Sequence, residues 1–135
     1  MTGRHIVVGQ AVLPVELTPD AITLLRFGAV TRNAHRIHYD AEFARSEGLS
    51  GPVVMAQLHG CLFHRAAAEF AGEDGQVREV EWQNRAPARV GERLVVTGTV
   101  RAVGGVDGEI TLDLVEHCGT GDVVCCRGRA VVALR

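Results

Sequence analysis

The segment from Val53 to Ala71 constrains the fold of this chain more than any other stretch of its sequence. Apolar residues recur in it at helical spacing, at Met55, Leu58, Leu62, Ala66 and Phe70. Three further apolar side chains widen this surface beyond a single stripe: Val54, Cys61 and Phe63. A helix that is apolar on most sides has to be covered by the rest of its domain. We therefore predict a helix over this segment that is buried along its length.

The sequence after Gly75 alternates with the two-residue period of a β-strand. The positions of one predicted face are apolar: Leu94, Val96, Val100, Ala102, Ile110, Leu112 and Leu114. The intervening positions are mostly polar or charged. The glycine-rich stretches Gly104–Gly108 and Gly119–Asp122 are typical of hairpin turns. Three or four antiparallel strands are therefore expected after the helix.

The segments before the long helix complete a single domain. Gln10 to Leu17 is apolar but contains Pro14, which favours an edge strand or an extended entry. Thr18 is the expected N-cap of a helix from Pro19 to about Val30, and Ala41 to Glu47 is expected to form one short helical turn. The sequence thus predicts one α+β domain over residues 1–135, in which a curled antiparallel sheet wraps around one long central helix.

Composition and charge exclude several classes of protein. A chain of 135 residues is long enough for a core, and its net charge of -2 argues against a nucleic-acid partner. No basic and apolar leader is present at the start, and no apolar run is long enough to span a bilayer. We expect a cytoplasmic protein with no membrane or nucleic-acid partner.

The cysteines indicate a reducing compartment rather than a metal site. They are Cys61, Cys118, Cys125 and Cys126, and they form no CxxC or His/Cys spacing typical of zinc. We expect reduced, mostly buried thiols and no metal. If the adjacent pair at 125 and 126 lies on a strand, its two side chains are expected on opposite faces of the sheet.

The polar loop from Asn33 to Asp40 holds the candidate chemistry. It brings two histidines, an amide, an arginine and a phenol together in an otherwise aliphatic protein. Imidazole is the side chain best suited to moving protons near neutral pH. A second polar group that holds a water or a substrate oxygen beside it would complete an acid–base site.

This loop resembles that of the MaoC-like enoyl-thioester hydratases, which have the hotdog fold. Their pattern, Gly-Asp-x-Asn-Pro-x-His-x-Asp, is matched at its end by Ile37-His38-Tyr39-Asp40. The loop is more similar to the mitochondrial 3-hydroxyacyl-thioester dehydratases and mesaconyl-CoA hydratases, which have roughly Thr-x-Asn-x-His-x-Ile-His-Tyr-Asp. Two later segments also resemble this subgroup: Glu47-Gly48 with Gly51, and Asn84-Arg85-Ala86-Pro87.

The resemblance implies an enzyme, a hydratase or dehydratase that adds or removes water across the α,β-bond of an acyl-CoA or acyl-carrier-protein thioester. Its catalytic residues would be His38, Asn33 and His35. Its substrate-binding residues would be Met55 and Ala56 through their main chain, together with Arg36, Tyr39 and Arg85. No cofactor is implied, and the fold predicts a homodimer or a pair of different hotdog chains.

Two departures from the family pattern keep other interpretations open. Asn33 stands where the hydratases have aspartate, as is usual in the subgroup, and Met55-Ala56 replaces a His-Gly pair. One alternative is a hotdog thioesterase, although the helix has no acid before Glu69. Another is a non-catalytic subunit that completes a heteromeric dehydratase. A purely structural alternative is that His38 bonds to backbone and Asn33 closes a turn.

Overall fold

A computed structural model describes residues 4–104, 108–119, 121 and 123–134 of the chain. Its elements, in chain order, are β1 (Ala11–Leu17), α1 (Ala21–Thr31), a 3-10 turn (Arg36–His38), α2 (Ala41–Ser46), α3 (Ala56–Ala71), β2 (Gln76–Asn84), β3 (Leu94–Val103), β4 (Glu109–Cys118) and β5 (Val123–Ala133). The two predicted hairpin turns fall partly outside the described residues. No helix in the described part of the chain has the length and apolar character needed to cross a bilayer.

The five strands form one antiparallel sheet in the order β1-β3-β4-β5-β2, and α3 contacts every strand of it. This is the predicted α+β arrangement of a sheet around one long helix. The core between them contains Phe63 and Leu62 from α3 and Leu94, Leu112 and Val132 from the sheet. Burying a side chain of this size contributes roughly 1.5–3 kcal/mol.

The helix α3 differs from its prediction in two respects. It begins at Ala56 rather than Val53, because Val53 and Val54 are extended and bond to the loop that contains Ala88 and Arg89. It is also buried on the side that faces the sheet but keeps one exposed stripe: Gln57, Cys61, His64, Arg65 and Glu69. The prediction of burial along the length therefore holds for one face of the helix.

The ends of α1 position the loop that follows it. The N-cap is Asp20 rather than the predicted Thr18, since Asp20 Oδ1 accepts the N–H of Thr23 at 2.8 Å. At the other end Arg32 is left-handed, with φ 57, and its N–H and that of Asn33 both bond to the carbonyl of Gly28. This cap sets the point at which Asn33 leaves the helix.

Irregular pairing changes which side chains face the core. β1 lies at a sheet edge as predicted, and its register with β3 shifts around Pro14. A shift between Val100 and Ala102 leaves Ala102 exposed, against the prediction. A third irregularity lies between Glu116 and His117 of β4, where Cys125 is the extra residue of β5.

That bulge overturns the expected placement of the adjacent cysteines. Cys125 and Cys126 are both buried, and both face the same cluster of polar side chains. All four cysteines are free thiols, with Cys61 exposed and the other three buried, as expected for most of them.

We predict that Arg32→Gly leaves the protein as stable or makes it more stable, by up to about 1 kcal/mol, because a left-handed residue with a β-carbon is strained. The matched control is Arg26→Gly, on the exposed surface inside α1. It should destabilise by about 0.5–1 kcal/mol through lost helix propensity. Urea unfolding of the two variants measures the difference, and a destabilised Arg32→Gly variant would contradict the cap geometry.

Candidate active site

A cavity of about 520 Å³ lies where three loops meet the amino end of α3. Its wall contains Asn33, His35, Ile37, His38, Val53, Val54, Ala56, Gln57, His59, Asn84, Arg85, Ala86 and Pro87. Backbone hydrogen bonds join the loops to one another. The N–H of Val53 bonds to the carbonyl of Ile37 at 3.0 Å, and that of Val54 to Ala88 at 2.8 Å.

His38 is held in one orientation by the segment that leads into α3. It is a buried residue, and its Nδ1 lies 2.7 Å from the carbonyl oxygen of Val53. A carbonyl oxygen only accepts hydrogen bonds, so Nδ1 carries a proton. In the neutral ring the lone pair is then on Nε2, and His38 can act as a base through that atom.

Asn33 lies beside this nitrogen. Its Nδ2 is 3.5 Å from His38 Nε2, at the long limit of a hydrogen bond, and its Oδ1 accepts the N–H of His35 at 3.3 Å. Long contacts of this kind are common in empty active sites and shorten when substrate binds. The amide can orient a water or a hydroxyl here, but it cannot exchange a proton with it.

His35 has a structural role in addition to its place in the wall. Its Nδ1 accepts the N–H of Ile37 at 3.2 Å and so caps the 3-10 turn. Its ring packs edge-on against His38, with 6.1 Å between the ring centroids. With Nδ1 accepting, the proton of the neutral ring lies on Nε2, so His35 is a donor rather than a base in this state.

Three polar residues of the same loop lie outside the cavity wall. Asp40 caps α2 by accepting the N–H of Phe43 at 3.0 Å, and this bond and that from Arg36 lower the pKa of its carboxyl group. Arg36 pairs with Asp40 and stacks on the Phe43 ring, 4.4 Å from its centroid. Tyr39 is 60% exposed. The structure therefore does not bring Arg36 or Tyr39 to the cavity, although both were candidates for substrate binding.

The amino end of α3 opens into the cavity. Met55 is the N-cap, has no side-chain capping bond, and buries its side chain against α1 near Gly28. The next two residues, Ala56 and Gln57, line the cavity, and their N–H groups bond to no described residue. Free amides at the positive end of a helix form a site for an oxygen that gains negative charge.

The loop that follows β2 places one positively charged side chain, Arg85, at the edge of the cavity. Arg85 lines the cavity, is exposed, and makes no side-chain hydrogen bond or ion pair with a described residue. Its backbone N–H bonds to the carbonyl of Cys125 at 2.8 Å, which attaches the rim to β5. The neighbouring Asn84 also lines the cavity and accepts a hydrogen bond from the Cys126 thiol at 3.0 Å.

Sequence reasoning did not place Gln57 or Asn84 in this wall, and for His59 it favoured a satisfied core histidine over a residue that faces the pocket. The sequence places His59 on the long helix, where a satisfied core histidine is the usual case, and the pattern does not show that it reaches the cavity. Behind it, atoms of His59, Glu116, Cys125 and Cys126 lie within 4.8 Å of one another. No pairwise spacing predicted this cluster, because the bulge at Cys125 creates it.

The fold is that of a hotdog domain, and three histidines, His35, His38 and His59, line its cavity. The chain belongs to the family of hydroxyacyl-thioester dehydratases of type 2, whose family model matches residues 9–102. The family resemblance expected from the Asn33–Asp40 loop is thereby confirmed.

Similar proteins agree with this assignment. A mesaconyl-C(4)-CoA hydratase of Chloroflexus aurantiacus is 47% identical over 66 residues, a match that covers 40% of this chain and 24% of that enzyme. The chain therefore matches only about a quarter of that relative's length.

Solved structures confirm the hotdog fold. An (R)-hydratase from A. caviae involved in PHA biosynthesis superimposes with a TM-score of 0.87 at 22% identity, over 96% of this chain and 98% of that one. The ChsH1-ChsH2 complex from Mycobacterium tuberculosis gives a TM-score of 0.85 at 22% identity, with the same coverage of both chains.

Proposed function

We propose that this protein adds water to, or removes it from, the α,β-bond of an acyl thioester carried by coenzyme A or a carrier protein. The observation that carries this proposal is that His38, held by Val53, lies beside the Asn33 amide in a cavity lined also by two free helix amides. The family assignment supports it independently.

The geometry suits a hydration in which negative charge develops on the thioester oxygen. His38 Nε2 takes a proton from a water that Asn33 orients, and the water oxygen attacks the β-carbon. Electron density moves to the thioester oxygen, where the N–H groups of Ala56 and Gln57 meet it. The α-carbon then takes up a proton from an acid in the cavity wall, since the Asn33 amide cannot supply one. Dehydration follows the same path in reverse.

Arg85 is proposed to bind a phosphate of coenzyme A or of a carrier-protein arm. It is the guanidinium in the cavity wall, and it has no carboxylate partner in the described part of the chain. A free guanidinium matches the geometry of phosphate. The acyl chain is proposed to lie against the apolar part of the wall, which includes Ile37, Val53 and Val54.

The wall argues against the thioesterase alternative. Hydrolysis of the carbonyl requires a group that activates water against it, usually a carboxylate in a hotdog thioesterase. None of the residues that line the cavity is Asp or Glu. Glu116, the nearest buried carboxyl group, lies behind His59 rather than in the wall.

We predict that His38→Ala lowers the rate of hydration by roughly 10²–10⁴-fold, the usual contribution of a positioned acid–base group. The assay follows a panel of enoyl- and 3-hydroxyacyl-CoAs for addition or loss of water, with thiol release measured in parallel. The matched control is His5→Ala, an exposed histidine outside the cavity, which should keep the parent rate.

Two results would contradict this assignment. A folded His38→Ala variant within a few-fold of the parent rate would remove His38 from the mechanism. Thiol release without change at the double bond would indicate a thioesterase. Asn33→Asp separates two forms of the mechanism, since a higher rate indicates that a carboxylate can serve there and a lower rate that the neutral amide is required.

A second prediction concerns the helix amides. Ala56→Pro removes one N–H and should lower turnover by roughly 10²–10³-fold, as the loss of an oxyanion donor does. The fold should survive, because proline suits the first position of a helix and Met55 already has the extended conformation that a following proline requires. Ala56→Gly keeps the amide and should keep the activity.

Activity and melting temperature are measured together for both position-56 variants. An Ala56→Pro variant that melts like the parent and turns over like it would disprove the oxyanion role of this amide.

We further propose that the protein is a dimer joined along β2. The other edge strand, β1, contains Pro14, whereas β2 has nine residues, no proline and a partner on one side only, β5. An open edge of this kind usually needs to be covered. β2 ends at Asn84, so a partner along it would lie next to the cavity.

The exposed stripe of α3 supports the same interface. A groove beside β2 is lined in part by His64 and Ala68 of the helix and by Gln76 and Val77 of the strand. The partner can be a second copy or a different chain, as in the ChsH1-ChsH2 complex. The free thiols support the proposal that this assembly works in the cytoplasm, where cysteines stay reduced.

We predict that the protein is a dimer at micromolar concentration and that Cys61→Arg makes it a monomer, by placing a charge in the proposed interface. Cys61→Ser is the neutral control, and Leu13→Arg places the same charge on the exposed edge strand β1. Both controls should remain dimeric by light scattering. If Leu13→Arg dissociates the dimer and Cys61→Arg does not, the interface is at β1 instead.

A further inference from the structure

Behind the cavity lies a carboxylate–imidazole pair that the mechanism above does not use. His59 is the fourth residue of α3, and its Nδ1 is hydrogen-bonded to Oε1 of Glu116 on β4. Glu116 is completely buried, and its Oε1 also accepts the Cys125 thiol at 2.8 Å. Because this oxygen receives both donors, Nδ1 of His59 carries the proton, and in the neutral ring Nε2 has the free lone pair.

The Nε2 atom of His59 reaches the cavity. His59 belongs to the same wall as His38, and its Nε2 bonds to no described residue. In the described part of the chain, Glu116 Oε2 is the one side-chain nitrogen or oxygen that is fully enclosed without a partner. His59 Nε2 is therefore not enclosed, and the accessible space next to it is the cavity.

Stability alone does not account for this pair. A buried ion pair is often no better than apolar side chains of similar volume, because both groups lose their hydration. Here one carboxylate oxygen also has no hydrogen-bond partner among the described residues, which is rare in protein interiors. A buried carboxylate that fixes one nitrogen of an imidazole, while the other nitrogen faces a cavity, is the arrangement that orients a catalytic base.

We propose that His59, oriented by Glu116, is a second proton-transfer group of this cavity and acts at the α-carbon of the thioester; this inference rests on the proposed function. The need for it follows from Asn33, whose amide cannot exchange a proton. With a second imidazole, the proton at the α-carbon and the proton of the water have separate carriers.

In dehydration, His59 Nε2 takes the α-proton, and the electron pair of that C–H bond passes to the thioester oxygen at the helix amides. The electrons then form the double bond as the bond between the β-carbon and oxygen breaks. Protonated His38 gives its Nε2 proton to the departing hydroxyl, which leaves as water. His59 ends protonated and His38 neutral, and exchange with solvent resets both rings.

The alternative role of this cluster is a metal site formed by His59, Glu116, Cys125 and Cys126, and the distances oppose it. Ligands around a tetrahedral zinc ion lie roughly 3.3–3.5 Å or more apart, given bonds of about 2.0–2.3 Å. The Cys125 sulfur is 2.8 Å from Glu116 Oε1, which is a hydrogen-bond distance. Its bond with Cys126, its burial and the nearby Glu116 all raise the pKa of the Cys125 thiol, so the thiol stays a donor.

The test separates the two protons. A saturated acyl-CoA has α-hydrogens but no β-hydroxyl, so their exchange in D₂O reports the α-carbon step alone. The main variant is His59→Asn, whose amide can still donate to Glu116 but cannot carry a proton. It should slow this exchange by roughly 10²–10⁴-fold, whereas His38→Ala should leave exchange within a few-fold of the parent.

Two further variants complete the experiment. Glu116→Gln keeps the size of the side chain but removes the charge, and it should lower kcat with KM unchanged, because Glu116 does not line the cavity. His117→Asn changes the neighbouring histidine, which is also outside the wall, and should leave both reactions at the parent rate. If His59→Asn does not fold, the double variant His59→Leu with Glu116→Leu removes the pair without leaving a buried charge and is tested in its place.

Each result decides the question. Parent-like exchange and hydration in a folded His59 variant overturn the inference, while the proposed function stands on the activity of the unmodified protein. Stoichiometric zinc that a chelator removes together with the exchange activity also overturns it. An unmodified protein that hydrates no enoyl thioester and exchanges no α-hydrogen overturns both the inference and the proposed function.

Discussion

The burial of α3 against the sheet is the interaction on which the rest of this structure depends. All five strands contact this helix, so its axis and its amino end are fixed by the core. The loops that contain His38, Val54 and Ala88 are attached to that end by backbone hydrogen bonds. The cavity is therefore held in place by packing that lies outside it, and its loops need little rigidity of their own.

The amino end of α3 has no side-chain cap. Most helices place a Ser, Thr, Asp or Asn side chain there, worth about 0.5–2 kcal/mol. Asp20 and Asp40 do so for α1 and α2, but Met55 makes no capping bond for α3. The longest helix thus leaves its first amides without protein partners at the point where they meet the cavity. Its packing is strong enough to tolerate this, and a cap would occupy the donors that the proposed reaction uses.

The local parts of this molecule could be predicted from the sequence, and the long-range parts could not. Helical spacing in Val53–Ala71 and alternation after Gly75 indicate the fold, because those periods arise within one element. Asn33 and His38 are five residues apart, so their contact follows from a short loop. Cap chemistry placed the start of α1 two residues early, since Thr18 and Asp20 are both good caps.

The pairing of His59 with Glu116 is one of the long-range features that the sequence could not predict. The two residues are 57 positions apart, and no pattern along the chain relates them. The bulge that turns Cys125 toward them is a property of how β4 and β5 are paired. A sequence rule that places neighbouring strand residues on opposite faces fails at such a bulge, because the rule assumes regular pairing.

The order of the strands also determines when the fold can close. β2 follows α3 in the chain, yet its neighbour in the sheet is β5, with Gln76 opposite Ala133 and Asn84 opposite Cys126. During synthesis the apolar face of α3 is therefore made well before β4 and β5 can cover it. Until β5 has been made, β2 has no neighbouring strand on either side. Pairings between distant segments form slowly and leave nascent chains prone to association. The apolar face of α3 therefore stays partly uncovered until β5 has been made.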